Sequence, residues 1–565
     1  MLPNSLWQRE QVLSPPARAA RRLGAAALLL TILAPASFLT LRSARAQDAG
    51  TAPAAAQNST GRVDAPMAVD WRFTGQPSPG NGAAPLAANN TIYFVSGSVV
   101  YAVDRTSGAQ KWRYPASSTL PRTIIYTPAY SDGTVFLSTA EGLSALDAET
   151  GKLKYPSFIV PNGANTSPVI IGDSVYFGGG NGRIFALNIK SGDPVNAMFR
   201  NGLNLQADFA GNMTALNGQL YVITANQMMH SIDALTGNQR WQSRVEGEIR
   251  GSIVVPDGET LYVAAGSSLQ AFRASSGVLR WSQPTPRNIV APPVVDSAGG
   301  IYVITSDRAV YCIEIKGPRP KSKWEKVVPQ VDTNVIAQPV IADDLLIIAT
   351  QGGSIWALDL ASGGVKWNYR IHPSATENAA TIPTRAGISA HPIVVGDTLL
   401  TVSDDGTLTA FRHSASDVTP PMITPVKPLQ GDYVNGQPPF TIRARISDEG
   451  SGLNVNTLAV KLDDNQIALQ KVLGVGTNGF IFDTSTGDLQ YTIYPRSGNE
   501  VGRTTALVDG HHTVTVTVKD WMGNTATRSW SFVIDDTIKR GGIPTTPGGG
   551  RSGFGGGGDS GGKGE

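Results

Sequence analysis

The stretch Ser354-Ile-Trp-Ala-Leu-Asp-Leu-Ala-Ser-Gly-Gly-Val-Lys-Trp367 limits what this chain can be more than any other, because degraded copies of it recur along most of the length before residue 415. In Ser354 to Asp359 apolar side chains fall on both faces of an extended pleat, so the strand they form must be covered on both sides. Asp359 then leads into Leu-Ala-Ser-Gly. There a carboxylate can accept backbone N–H bonds two or three residues on, and Gly363 can take the positive φ that closes a hairpin. Trp367 ends the pattern.

The clearest copies run Ala102 to Trp112, Ala145 to Tyr155, Ile232 to Trp241 and Ala271 to Trp281, with weaker ones around Asn188 to Gly192 and Glu314 to Trp324. Each follows a strand of the type Leu-Tyr-Val. Aligned on Tyr93, Phe136, Tyr176, Tyr221, Tyr262, Tyr302, Leu346 and Leu400, the units lie 43, 40, 45, 41, 40, 44 and 54 residues apart. That period, with about four strands per unit, predicts the blades of an eight-bladed β-propeller, and the Thr, Val, Gly and Tyr content of each unit excludes a helical array. The last unit, Thr407-Leu-Thr-Ala-Phe-Arg412, stops without an outer Trp strand, whereas Val69-Asp-Trp-Arg-Phe73 has that character and no blade in front of it. The N-terminal strand is therefore expected to complete the eighth blade and leave no open edge.

Across residues 66–415 the Ala-Leu-Asp-x-x-Thr-Gly-x-x-x-Trp pattern resembles the pyrroloquinoline-quinone (PQQ) repeat. That repeat unites the quinoprotein dehydrogenases, which are enzymes, with the outer-membrane assembly lipoprotein BamB, a binding scaffold. The resemblance implies the fold and leaves the function open between the two.

Residues 1–46 read as a signal peptide. Arg18, Arg21 and Arg22 precede the apolar run Leu23 to Ala34, and Ala44-Arg-Ala46 suits signal peptidase. The segment carries six of the 46 basic and one of the 44 acidic residues, so the chain from residue 47 onward has 40 basic and 43 acidic residues and a net charge near −3. No Lys/Arg-rich run remains, which argues against nucleic-acid and anionic-lipid partners and, once the signal is cleaved, against stable membrane insertion. The one cysteine, Cys312, lies inside a blade strand; none stands just after the signal, so a lipid anchor of the BamB kind is not expected. Residues 47–65 read as a flexible lead-in, and His372 to Gly387 as an insertion before the eighth unit.

From Asp417 the texture changes. Pro420, Pro421, Pro425 and Pro428 mark a boundary, and Thr441 to Ile446, Leu458 to Leu462, His512 to Val518 and Trp530 to Ile534 are strand-like. With turns at Asp448-Glu-Gly-Ser-Gly452 and Trp521-Met-Gly-Asn524, residues 418–536 resemble bacterial Ig-like modules, so the expected fold class is all-β, a propeller followed by an Ig-like sandwich. Residues 537–565 are too Gly-rich to form a core and read as a disordered tail.

A PQQ enzyme would, by family resemblance, need Ca²⁺ held by Glu, Asn and Asp, a catalytic Asp and a Trp platform on the axis. The tryptophans are otherwise engaged: Trp71, Trp112, Trp241, Trp281, Trp324 and Trp367 occupy outer-strand repeat positions and are expected to be structural anchors. Asp104, Asp147, Asp233 and Asp359 recur at one place in each turn, which makes them hairpin residues and not a convergent carboxylate set. No catalytic constellation and no metal-ligand spacing appears. What varies between units is the segment before each innermost strand, where Tyr126, Asn165, Asp208, Arg250, Asn334 and His391 stand. Because a ring of like units becomes selective by varying residues around its axis, these six are the expected lining of a funnel that binds a ligand or partner. His391 precedes Pro392 as Ser167 precedes Pro168 and Gln338 precedes Pro339; its side chain faces either the axis or solvent. The reading is an exported, non-catalytic scaffold of the periplasm or cell surface that binds a protein or envelope polymer and needs no cofactor. The alternatives are a PQQ- and Ca²⁺-dependent dehydrogenase and a structural surface-layer component.

Overall fold

The computed structural model describes residues 61–538 apart from 81, 123, 316–319, 328–333, 372–385, 470–478, 485 and 494–506. The segments expected to be a signal peptide and a Gly-rich tail, most of the expected lead-in and nearly all of the insertion before the eighth unit thus lie outside the described residues. Eight antiparallel sheets between Ala68 and Arg412 form the blades, seven of four strands and one of three. Blade 1 shows the plan, running outward through Leu86–Ala88, Thr91–Ser96, Val99–Asp104 and Gln110–Tyr114.

The eighth blade closes the ring as the orphan Trp71 segment predicts. Its strands Ile393–Val395, Thr398–Val402 and Thr407–Arg412 are completed by Ala68–Thr74, paired antiparallel from Ala68 opposite Arg412 to Thr74 opposite Thr407. A bulge between Val69 and Trp71 sets Asp70 apart, and its carboxylate lies 3.1 Å from the Arg412 guanidinium.

Apolar residues on both faces of the middle strands are accounted for by the ring. One buried cluster joins Tyr93 and Val100 of blade 1 to Val135 and Leu146 of blade 2. The same arrangement recurs at each junction, to the cluster that joins Leu400 and Leu408 of blade 8 to Phe94 and Val103 of blade 1. Cys312 is fully buried in one of them.

The turn-and-Trp motif stitches blade to blade. Asp104 Oδ1 accepts the N–H groups of Thr106 and Ser107 and Asp147 Oδ1 those of Glu149 and Thr150, while Asp233 and Asp359 each accept one, from Thr236 and Ser362. The shaped turn then receives the preceding blade's indole: Trp71 Nε1 donates to Arg105 O at 3.1 Å, Trp112 to Ala148 O at 2.9 Å and Trp241 to Ala274 O at 3.0 Å. Gly108, Gly151 and Gly277 each have φ near +70° and lie so close to that indole that any Cβ would collide with it, so glycine is required for conformation and for space. In blade 3 a short helix, Ala197–Arg200, stands where the Trp strand would be, and Met198 and Phe199 meet Gly237 of the next turn.

Blade 7 departs from this rule. Trp367 Nε1 donates 2.9 Å to Ser451 O, outside the propeller. Residues from Met422 to Ile534 form two sheets, with strand order Met422–Lys427, Phe440–Ser447, Asp488–Ile493, Phe480–Asp483 in one and Tyr433–Val434, Thr525–Ile534, Gly510–Asp520, Leu453–Leu462, Asn465–Ile467 in the other. Ile442 and Leu489 of the first sheet pack with Val516 and Trp530 of the second in one core, a β-sandwich. Its loop at residues 448–452 lies on blades 7 and 8. Gly450 O accepts from Val69 N–H at 3.0 Å, and Glu449 O accepts from Arg72 Nη2 at 2.8 Å and from the Tyr369 hydroxyl at 3.0 Å. The sandwich thus provides the carbonyl that a repeat turn provides elsewhere.

Candidate functional site: the axial cavity

The innermost strands start at corresponding positions. Leu86, Ala129, Val169, Thr214, Val254, Val294, Val340 and Ile393 each pair with the second strand of their blade. Two residues upstream of these stand Ala84, Thr127, Ser167, Asn212, Ser252, Pro292, Gln338 and His391, and hydrogen bonds run between them from one blade to the next. Ala84 N–H donates to Thr127 Oγ1 at 2.9 Å, Thr127 N–H to Ser167 Oγ at 3.1 Å and Ser167 N–H to Asn212 Oδ1 at 2.8 Å. Gln338 N–H donates to His391 Nδ1, and Gln338 Nε2 donates 3.0 Å to Pro293 O. These N–H groups precede the strand ladders and have no backbone partner of their own, so a side-chain acceptor from the neighbouring blade satisfies them.

This belt surrounds a cavity of about 460 Å³. Of the six residues expected at the funnel, the cavity is lined by Tyr126, Asn165, Arg250 and His391. Asp208 and Asn334 are exposed and outside the lining, where their carbonyls accept from Ala225 N–H and Gln351 N–H. Each stands four residues ahead of its belt position, whereas the other four stand none to two ahead. At about 3.3 Å per extended residue that difference carries a side chain out of the funnel. Among the described residues Arg250 is the one charged residue in the lining, and it pairs with Glu248 beside the cavity at 2.6 Å.

Sequence reasoning left His391 between axis and solvent, and it is a belt residue facing the axis. A backbone N–H donated to Nδ1 requires that nitrogen to be unprotonated, which puts the proton of the neutral ring on Nε2. Burial pushes the imidazole down to about 4, so it is neutral at physiological pH. Burial also raises the Tyr126 phenol. The Asn165 backbone N–H bonds Gly178 O at 2.8 Å, while its buried Oδ1 has no partner among the described residues. Sequence reasoning missed Thr127, Ser167, Asn212 and Gln338 as lining residues. Their signal was a hydrogen-bonding residue at a fixed offset before the innermost strand, obscured because Ala84 and Pro292 break the series.

Of the outer-strand tryptophans, Trp112 and Trp367 are buried, and Trp71, Trp241 and Trp281 are half-buried. Trp324 pairs opposite Cys312 in its sheet. None of the other five lines the cavity. The four turn aspartates serve their own hairpins, and their carboxyls are held below the usual range, Asp233 most strongly by Arg240 at 2.7 Å. Far from the axis, oxygens of Asp417, Asp448 and Asp520 lie within 4.8 Å of one another where the sandwich begins. They are the one group of acidic or metal-ligating residues among those described that converges closely enough to share a cation. Asp448 is pushed up to about 6, first by burial and then by the charges of Asp417 and Asp520, against the N–H bonds it accepts from Gly450 and Gly452.

A family model described as outer membrane protein assembly factor BamB matches residues 58–234 and 225–428, more than half of the 565 residues. The chain belongs to this family. BamB from Nitrosomonas eutropha is 23% identical over 201 residues, 36% of this chain and 48% of the relative. BamB from Vibrio cholerae is 32% identical over 128 residues, 20% of this chain and 33% of the relative. A lanthanide-dependent methanol dehydrogenase from Methylacidiphilum fumariolicum is 29% identical over 158 residues, 24% of this chain and 26% of the relative. The matches thus span half or less of each relative's length. The crystal structure of BamB from Moraxella catarrhalis aligns with a TM-score of 0.48 at 17% identity, covering 62% of this chain and 99% of that one.

The PQQ and Ca²⁺ of a quinoprotein do not fit the residues present. Among the described residues no Asp or Glu lines the axial cavity, so they offer no carboxylate ligand for Ca²⁺ there, and the aromatic residues of the lining are Tyr126 and Phe209, with no Trp.

Proposed function

We propose that this BamB-family propeller is an exported, non-catalytic scaffold that binds a protein partner of the cell envelope at its axial cavity. The observation that carries this reading is the division within the repeats. Turns, Trp positions and interblade cores agree from blade to blade, while the cavity is lined by individual polar residues, Tyr126, Asn165, Arg250 and His391 among them. The relatives' description as outer membrane protein assembly factors supports a protein over a polymer. The signal-like residues 1–46 support export to the periplasm or cell surface. Among the described residues no helix is long and apolar enough to cross a membrane. We take residues 66–415 as the propeller and 418–536 as an Ig-like module that acts as a spacer.

The test replaces Tyr126, in the cavity, or the exposed turn residue Lys152, on the rim, with a photo-crosslinking amino acid in cells. A discrete crosslinked protein from position 126 and none from position 152 is the expected result. The opposite pattern would refute the axial site.

A further inference from the structure

The belt does more than join blades, because it fixes which hydrogen-bonding character each belt side chain presents to the axis. Thr127 Oγ1, Ser167 Oγ, Asn212 Oδ1 and His391 Nδ1 each accept a backbone N–H from the preceding blade. An N–H cannot accept, so the direction of these bonds is not in question. Each side chain still has a donor to offer, the hydroxyl proton of Thr127 and of Ser167, the Asn212 amide NH₂ and the His391 Nε2–H, and only the His391 ring has no acceptor left beside it. None of these finds an acceptor among the described residues, and all four residues line the cavity. Among the described residues no carboxylate stands in the lining, and the Arg250 guanidinium does. Arg250 is already engaged by a carboxylate, Glu248 at 2.6 Å, in a pair whose side chains are 46% and 64% exposed. So exposed a pair is weak and readily exchanged for another carboxylate.

Resting on the reading that the axial cavity is the binding site, we infer that the cavity is a carboxylate receptor, recognising a negatively charged, acceptor-only group by Arg250 and by belt donors among Thr127, Ser167, Asn212 and His391. The chemistry is shared by the free C-terminus of a peptide and by a small polycarboxylate, both of which suit a cavity of about 460 Å³. Charge-assisted hydrogen bonds are the strongest such a polar cavity can offer, and a neutral amide or ester forfeits the charge.

Calorimetric titration of the full chain tests this with four probes: N-acetyl-trialanine as its free acid and as its C-terminal amide, and citrate and its trimethyl ester. Binding of either acid at least tenfold tighter than its neutral counterpart is expected, and the acid preferred identifies the source as peptide terminus or small molecule. Asn212→Asp is the decisive variant. Its carboxylate still accepts the Ser167 N–H, so the belt bond and melting temperature persist, but the NH₂ donors become a negative charge; the preferred acid should bind roughly tenfold or more weakly. Equal binding of acid and neutral forms, no binding of any probe, or unchanged affinity in Asn212→Asp overturns the inference. Each of these outcomes leaves the axial-site reading standing if position 126 still crosslinks a partner, and that reading falls only when position 126 does not.

Discussion

Replacing Trp367 with Ala should be the most damaging of the outer-strand tryptophan substitutions. Trp367 is 0% exposed; its ring lies 5.5 Å from Phe411 of blade 8 and 6.0 Å from Tyr369, and its Nε1 donates to Ser451 O of the sandwich. Three bodies therefore meet on one indole. Truncating a fully buried Trp costs about 3–5 kcal/mol in lost transfer energy and residual cavity, and the stranded Ser451 carbonyl adds about 1 kcal/mol or more. Trp281 is half-buried, so the same substitution there should cost about half as much. Trp367→Phe keeps most of the apolar area and loses the donor, and about 1–3 kcal/mol is expected. Urea unfolding followed by circular dichroism gives the three values, and limited proteolysis shows whether the sandwich is released first in Trp367→Ala. Equal losses at Trp281 and Trp367, or a Trp367→Ala midpoint indistinguishable from wild type, would refute the three-way junction.

Three further outcomes are expected. Deleting residues 66–74 removes the strand that pairs with Thr407–Arg412 and should lower the melting temperature of the whole ring; an unchanged melting curve contradicts closure by this strand. Asp448→Asn isolates a carboxyl raised in the fold from 3.8 to about 6. The folded state holds this proton more tightly than the unfolded chain, so wild-type stability gains as pH falls from 6 towards 4 and loses as pH rises through that window. Asn keeps an oxygen for Gly450 and Gly452 without the charge. The variant should exceed wild type by about 2–3 kcal/mol at pH 7, with the difference gone by pH 4, and a constant difference across that range would be the wrong answer. Finally, adding PQQ and Ca²⁺ to the purified chain should give no dye-linked oxidation of alcohols or sugars, since the described residues of the cavity lining include no carboxylate and no Trp; turnover above the untreated protein would restore the enzyme reading.

The fold was legible because the repeat writes one physical requirement many times. A Trp strand in one blade needs a turn in the next whose Asp gathers N–H groups and whose Gly leaves room for the indole, so Asp104, Gly108 and Trp71 are readable as one device. Closure came from the same arithmetic, since an unpaired Trp71 strand and an outer edge without one can only be partners. The site was legible in part. The sequence marks where blades differ, but not how far each differing residue stands from the axis. Tyr126, Asn165, Arg250 and His391 are in register with the belt, and Asp208 and Asn334, a few residues earlier, are not. The belt bonds were illegible because each joins residues between 40 and 53 positions apart through a backbone N–H, a group that leaves no mark in a sequence.

Blade 7 shows how the sandwich relates to the ring. In blades 8, 1 and 4 the Trp donates to the residue just after the turn aspartate or its counterpart in the following blade. The corresponding place after Arg412 is His413, whose imidazole is turned instead to the Pro66 carbonyl at 2.7 Å. Ser451 O replaces it, and Gly452, at φ +86°, comes close enough to Asn368 O that a Cβ there would meet it at 2.8 Å. The same loop receives Val69 N–H and Arg72 from the closing strand. The last turn of the propeller's stitching is therefore contributed by the C-terminal sandwich. A module joined in this way cannot swing freely on its linker, because moving it would uncover Trp367 and loosen the strand that closes the ring.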